Sequence, residues 1–188
     1  MTRFTVHTAE TAPAASRPLL EGIGRSFGFI PNLFGVFAES PAALRGGLAI
    51  YDAFSTSSLS TVEQQLVMLA ASEANDCEYC VAAHSTLAKR MAKVNPELVD
   101  AVRCRAPLAD SRLDALVTFT RKVVEQRGVL ADAEVAALLD AGYTRAQVIE
   151  VLLGVGMKTF NNYVDHIAHT PLNDQFKAEA WQPKRKIA

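Results

Sequence analysis

The sequence predicts an all-α protein on three observations. Apolar residues recur at helical spacing along most of the chain, and several of these runs open on a Ser, Thr or Asp suited to cap a helix. No segment combines strand alternation with hairpin punctuation. The 188 residues suffice for one domain with a real core and leave little room for two. The expected organisation is an irregular amino-terminal strap over residues 1–40, a helical domain over 41–172 and a carboxy-terminal arm over 173–188.

Within the strap, Pro13, Pro18 and Pro31 alternate with Gly22, Gly24, Gly28 and Gly35, which predicts extended chain or short turns. Phe27, Phe29, Ile30, Leu33, Phe34, Val36 and Phe37 are too apolar to leave in water, so the strap should lie over the helical body or a neighbouring subunit. Ser40-Pro41 offers an N-cap and a first-turn proline for a helix over 42–54, weakened by Gly46-Gly47. After the polar run 55–60, Ser60-Thr61-Val62-Glu63 reads as a capping box. The helix it opens, to about Ala74, is apolar on most sides from Leu66 to Ala71 and should be buried and central. Asn75-Asp76 interrupts the pattern and can cap a new helix from near Cys77 to about Lys93. Pro96 opens a short helix towards Arg103. Asp110 or Ser111 starts one with a wide apolar face from Leu113 to Val124, stopped at Gly128. Asp132 caps a short helix ending at Ala141-Gly142, and Thr144 a longer one running to about His169, before Thr170-Pro171.

Lys plus Arg (19) nearly match Asp plus Glu (20), which argues against nucleic acid or an anionic membrane as the main partner. The strongest local bias, Lys184-Arg185-Lys186, reads as a solvated end. The first residues carry no apolar run with a cleavage site, and nothing approaches the roughly 20 apolar residues of a membrane span, so a cytoplasmic location is expected. In such a reducing compartment three cysteines make a poor disulfide framework, and a close pair points to redox chemistry or metal binding.

That pair sits in Asn75-Asp76-Cys77-Glu78-Tyr79-Cys80-Val81-Ala82-Ala83-His84. On a helix, positions 77, 80 and 84 share one face, so two sulfurs and an imidazole can act together. A helix start at Cys77 brings unpaired amides and a positive dipole end that favour thiolate. A thiolate attacks peroxides, and a second thiol captures the resulting sulfenic acid as a disulfide. The spacing also occurs in zinc sites and thioredoxin-like proteins, and an inert packed pair is a further alternative.

The stretch from Ser60 to Lys89, with Leu59-Ser60-Thr61-Val62-Glu63-Gln64-Gln65 leading into Cys77-Glu78-Tyr79-Cys80 and His84, resembles the core motif of the AhpD-like alkyl hydroperoxidases of the carboxymuconolactone decarboxylase-like superfamily. Gly28-Phe29-Ile30-Pro31-Asn32-Leu33-Phe34 with Ser40-Pro41, and the run from Phe160 to Leu172, resemble the first and last segments of its peroxidase-related branch. The resemblance implies an all-helical AhpD-like domain, a homo-oligomer (dimer, trimer or hexamer), and reduction of an organic hydroperoxide at the expense of an external thiol or disulfide reductant, with no bound cofactor and no metal. By motif position it makes Cys80 the peroxide-reactive sulfur, Cys77 its resolving partner and His84 a member of the proton relay. The helix-terminus argument alone favours Cys77 as the more acidic thiol. The chain departs from the family pattern twice. Gln65 stands where a relay glutamate is expected, leaving Glu63 or Glu73 as substitutes, and Tyr79 replaces a histidine between the cysteines.

The remaining candidates have simpler readings. His166 and His169 fit a helix C-terminus, Asp165 and Asn162 fit capping or interface roles, and Glu78 fits an exposed position. Cys104, between two arginines, reads as a spectator, and Tyr51 as core, interface or pocket lining. Two functions compete with the peroxidase. One is a carboxymuconolactone decarboxylase-type lyase, against which the intact cysteine pair counts. The other is a non-catalytic redox sensor or assembly module, which Gln65 favours.

Overall fold

Side-chain caps fix where four of the longer helices begin. Ser40 opens α3 (Pro41–Ser55), Asp110 opens α7 (Ser111–Glu125) and Thr144 opens α9 (Arg145–Ala168), each accepting a first-turn amide. At α4 (Thr61–Ala74) the capping box is complete: Ser60 Oγ accepts from Glu63 N–H, and Glu63 Oε2 accepts from Ser60 N–H at 2.8 Å. Ser60→Ala should therefore cost about 1 kcal/mol, read as a melting temperature lowered by a few degrees in a thermal scan.

The computed structural model describes residues 4–183; the Lys184-Arg185-Lys186 tail lies outside them. The other elements are α1 (Arg17–Phe27), α2 (Asn32–Phe37), α5 (Glu78–Arg90), α6 (Pro96–Arg103), α8 (Asp132–Asp140) and a 3-10 turn over Asp174–Glu179. Among the described residues there is no strand, and no helix is long and apolar enough to cross a membrane.

The strap is more helical than its prolines and glycines suggest, because they punctuate helices instead of preventing them. Pro18 sits in the first turn of α1, Gly28 ends it at φ 77°, and Pro31 is the N-cap of α2. Leu20, Ile23, Leu33 and Phe37 from this region are buried in one cluster with Cys77, Cys80 and Phe176, so the strap roofs the cysteine helix.

At the centre lies α4, whose Leu66, Val67, Leu69, Ala70 and Ala71 are fully enclosed by α5, α6, α7 and α9. Gly154 lets α9 approach this core: a Cβ there would stand 2.7 Å from the Phe54 ring and 2.9 Å from Val67. Glu73, buried near the end of α4, is compensated by Arg105 at 2.5 Å and Arg121 at 3.1 Å. After α9 the chain turns at His169, in the left-handed conformation (φ 53°), and the 3-10 turn returns over α5. Phe176 meets Tyr79 edge-on, while Glu179 pairs with Lys89 and Arg103.

Candidate functional site

Cys77 is the N-cap of α5, a position that the sequence pattern assigns to Asn75-Asp76. Asp76 instead takes the left-handed conformation (φ 55°) that reverses the chain after α4, and Cys77 follows in extended geometry. The sulfur then accepts the Cys80 amide at 3.3 Å and donates its own proton to Asp165 Oδ2, also at 3.3 Å. Cys80 and His84 follow on the same face of α5, and all three groups are buried. Both cysteines are thiols here, not a disulfide.

Opposite them, α9 supplies Lys158, Asn162 and Asp165 from one buried face. Their spacing of four then three residues mirrors the three then four of Cys77, Cys80 and His84, and the two helices run antiparallel. Lys158 therefore meets His84, with Nζ 2.8 Å from Nε2, while Asp165 meets Cys77. Between them Asn162 accepts from Asn75 at 3.0 Å and donates towards Ser72 at 3.5 Å.

The two thiols are electrostatically unlike. Burial, the neighbouring Cys80 and the Asp165 carboxylate push Cys77 well above the usual thiol value. Burial also acts to raise Cys80, but its hydrogen bond with Cys77, the Lys158 charge and Asn162 outweigh it and bring Cys80 down to about 7. The order is the reverse of that expected from the helix terminus alone, because Cys77 faces a carboxylate and Cys80 an ammonium. Burial and Lys158 together hold His84 neutral, well below the usual imidazole value.

A cavity of about 60 Å³ reaches Cys80, His84, Lys158 and Asn161 and is otherwise walled by apolar and aromatic side chains, Phe34, Tyr51 and Phe176 among them. It shares Phe27, Phe34, Tyr51 and Leu87 with a wider cleft of about 720 Å³. The roof is clasped from both ends of the chain. Tyr79 Oη donates to Asn173 Oδ1 at 2.7 Å and accepts from Leu33 N–H, and Asn173 also bonds the backbone and side chain of Asn32. Tyr79 is thus a structural pin, and burial raises its phenol.

Of the three relay candidates, Gln65 lines the wider cleft, where its Oε1 is buried without a hydrogen-bond partner. Glu63 spends its carboxylate on Ser60 and Arg112, and Glu73 on Arg105 and Arg121. Neither bonds Cys77, Cys80 or His84 among the described residues. His166 and His169 line a separate cleft of about 1070 Å³ beside Asp165, and Glu78 and Cys104 are exposed. Among the described residues no cluster of three or more His, Cys, Asp or Glu is arranged to hold a metal. Sequence reasoning missed Lys158. Its signal is a lone lysine on the helical face shared by Val151, Gly154, Val155 and Asn162.

Residues 37–122 match the model of the Carboxymuconolactone decarboxylase family. No curated protein matches the chain. Among solved structures, an uncharacterized peroxidase-related protein from Ralstonia eutropha JMP134, described as an alkylhydroperoxidase AhpD core, is 26% identical with a TM-score of 0.82, covering 93% of this chain and 94% of its own. A second uncharacterized peroxidase-related protein, from Silicibacter sp. TM1040, is 20% identical with a TM-score of 0.80, covering 93% of each chain. The debrominase Bmp8, solved as a C82A variant with 2,3,4-tribromopyrrole, is 18% identical with a TM-score of 0.81, covering 95% of this chain and 96% of its own. The last two likenesses concern the fold.

Proposed function

From the match of residues 37–122 to the Carboxymuconolactone decarboxylase family and the likeness to an AhpD core, we propose that the chain is a thiol-dependent alkyl hydroperoxide reductase built on Cys77, Cys80 and His84. The observation that carries this reading is the asymmetry of the pair. Cys80, brought to about 7, opens on a cavity, while Cys77 is held as a thiol beside it. The Cys80 thiolate attacks the terminal oxygen of the hydroperoxide, the O–O bond breaks, and an alcohol leaves. Cys77 then attacks the Cys80 sulfenic acid, a disulfide forms and water departs. An external thiol returns two electrons and two protons, so no bound cofactor is required. The apolar walls favour an organic hydroperoxide.

The test is consumption of cumene or tert-butyl hydroperoxide with a dithiol reductant. Turnover supports the reading. Thiol oxidation without turnover would instead indicate a sensor, and a lyase would keep its activity in Cys77→Ser/Cys80→Ser and lose it in His84→Ala. Since the thiolate is the reactive form, kcat/KM should rise with pH through about 7 and fall about tenfold per unit below it. A flat profile between pH 5.5 and 8 counts against Cys80 as nucleophile.

The aromatic walls of the cavity, with the Bmp8 likeness in fold, favour a second reading, in which the dithiol removes bromine from an aromatic ring. Two thiols and an aryl bromide would give the arene, a disulfide and hydrogen bromide, so bromide release from 2,3,4-tribromopyrrole separates the two. The exposed α9 residues Ile149, Phe160, Tyr163 and Ile167 suit contact with a second copy, in keeping with a homo-oligomer, and the working dithiol suits the reducing cytoplasm.

A further inference from the structure

Lys158 is 1% exposed, and among the described residues no carboxylate lies within ion-pairing distance of its Nζ. A buried ammonium is costly unless its donors and charge are answered. Here one donor is answered by His84 Nε2 at 2.8 Å. An ammonium has three donors and no acceptor, so Nε2 must be the acceptor and the single proton of the neutral ring must sit on Nδ1. His84 Nδ1 is buried with no protein partner, on a ring that lines the cavity at Cys80. Unpartnered buried donors are rare and expensive, and a substrate oxygen in that cavity is the partner this one lacks.

We infer that Lys158 is the positioning residue of the reaction, fixing His84 as the Nδ1–H tautomer that delivers a proton to the departing alkoxide and placing a positive charge beside the Cys80 sulfur. The inference rests on the peroxidase reading and assigns to a lysine from α9 the part that Gln65 cannot play. As the S–O bond forms and the O–O bond breaks, the electron pair passes to the alkoxide oxygen, which takes the Nδ1 proton. Nε2 takes one from Lys158. When an external thiol later reduces the disulfide, the Cys80 thiol returns a proton to the Lys158–His84 pair and is a thiolate again, so the cycle closes.

The charged and titratable groups facing Cys80 are few. Cys77 caps α5, which adds Tyr79 and His84, while α3 gives the phenol of Tyr51 and α9 gives Lys158 and Asp165. The walls given by α1, α2, α3 and the 3-10 turn carry no charged side chain. Asp165 opposes a Cys80 thiolate, which leaves Lys158 as the one cation acting for it.

Two measurements test the inference separately from turnover. In a nitrogen-15 long-range proton correlation spectrum of the reduced wild type, His84 should show its proton on Nδ1; a proton on Nε2 overturns the assignment, and this needs no variant. In Lys158→Met, with circular dichroism confirming the fold, the pH midpoint for iodoacetamide alkylation of Cys80 should rise by about one unit or more, a tenfold loss of thiolate at neutral pH. Hydroperoxide kcat/KM at pH 7 should fall at least about tenfold and recover in part as pH is raised. Lys158→Arg should keep the alkylation midpoint low. An unchanged midpoint in folded Lys158→Met defeats the inference. Absence of turnover in the wild type, with both other results as expected, defeats the peroxidase reading and leaves the role of Lys158 standing.

Discussion

Cys80→Ser should lower kcat/KM for cumene hydroperoxide by about 1,000-fold or more, because it removes the one sulfur that combines a depressed pKa with access to the cavity. Cys77→Ser should behave differently. Its Cys80 can still attack once, so about one equivalent of peroxide should disappear in a burst, leaving a sulfenic acid that dimedone traps. Intact-mass measurement after a single peroxide addition distinguishes the two variants: a dimedone adduct on Cys77→Ser and none on Cys80→Ser. A burst in Cys80→Ser with an adduct on Cys77 reverses the assigned order of attack.

Gly154→Val should destabilise the fold by about 1–3 kcal/mol, a fall of several degrees in melting temperature, because its side chain must enter space held by the Phe54 ring and Val67. The same change should reduce activity. Gly154 lies on the face of α9 that also carries Lys158, Asn162 and Asp165, so lifting this helix from the core raises all three from the cysteines. Gly156, two residues away, is the control: it faces outward, a Cβ there would meet nothing within 4 Å, and Gly156→Ala should stabilise the helix by up to about 1 kcal/mol without loss of activity. Equal thermal shifts in the two variants would contradict the packing argument.

Helix starts were legible in the sequence because their chemistry is local. Ser40, Ser60, Asp110 and Thr144 each sit within three residues of the amides they cap. The common face of Cys77, Cys80 and His84 was legible for the same reason, since helical spacing alone determines it. The strap misled because Pro18, Gly28 and Pro31 carry the same local signal whether they end helices or replace them. The α9 half of the site was hidden. Lys158 and His84 are separated by 74 residues, and Asp165 and Cys77 by 88, so neither pairing leaves a periodic trace. Even so, a lysine, an asparagine and an aspartate at spacings of four and three on the inner face of an apolar helix were a readable anomaly. The carboxylates nearest the motif in sequence, Glu63 and Glu73, are instead engaged by arginines.

The clasp joining Asn32, Tyr79 and Asn173 bears on how the molecule is born. Asn32 and Asn173 are 141 residues apart, and Phe176, a wall of the chamber beside Cys80, follows three residues after Asn173. Contacts across such a span form late in folding. A chain made only as far as the residue before Asn173 would hold its cysteines under a half-built roof, so shelter for the two sulfurs waits until synthesis has passed Phe176.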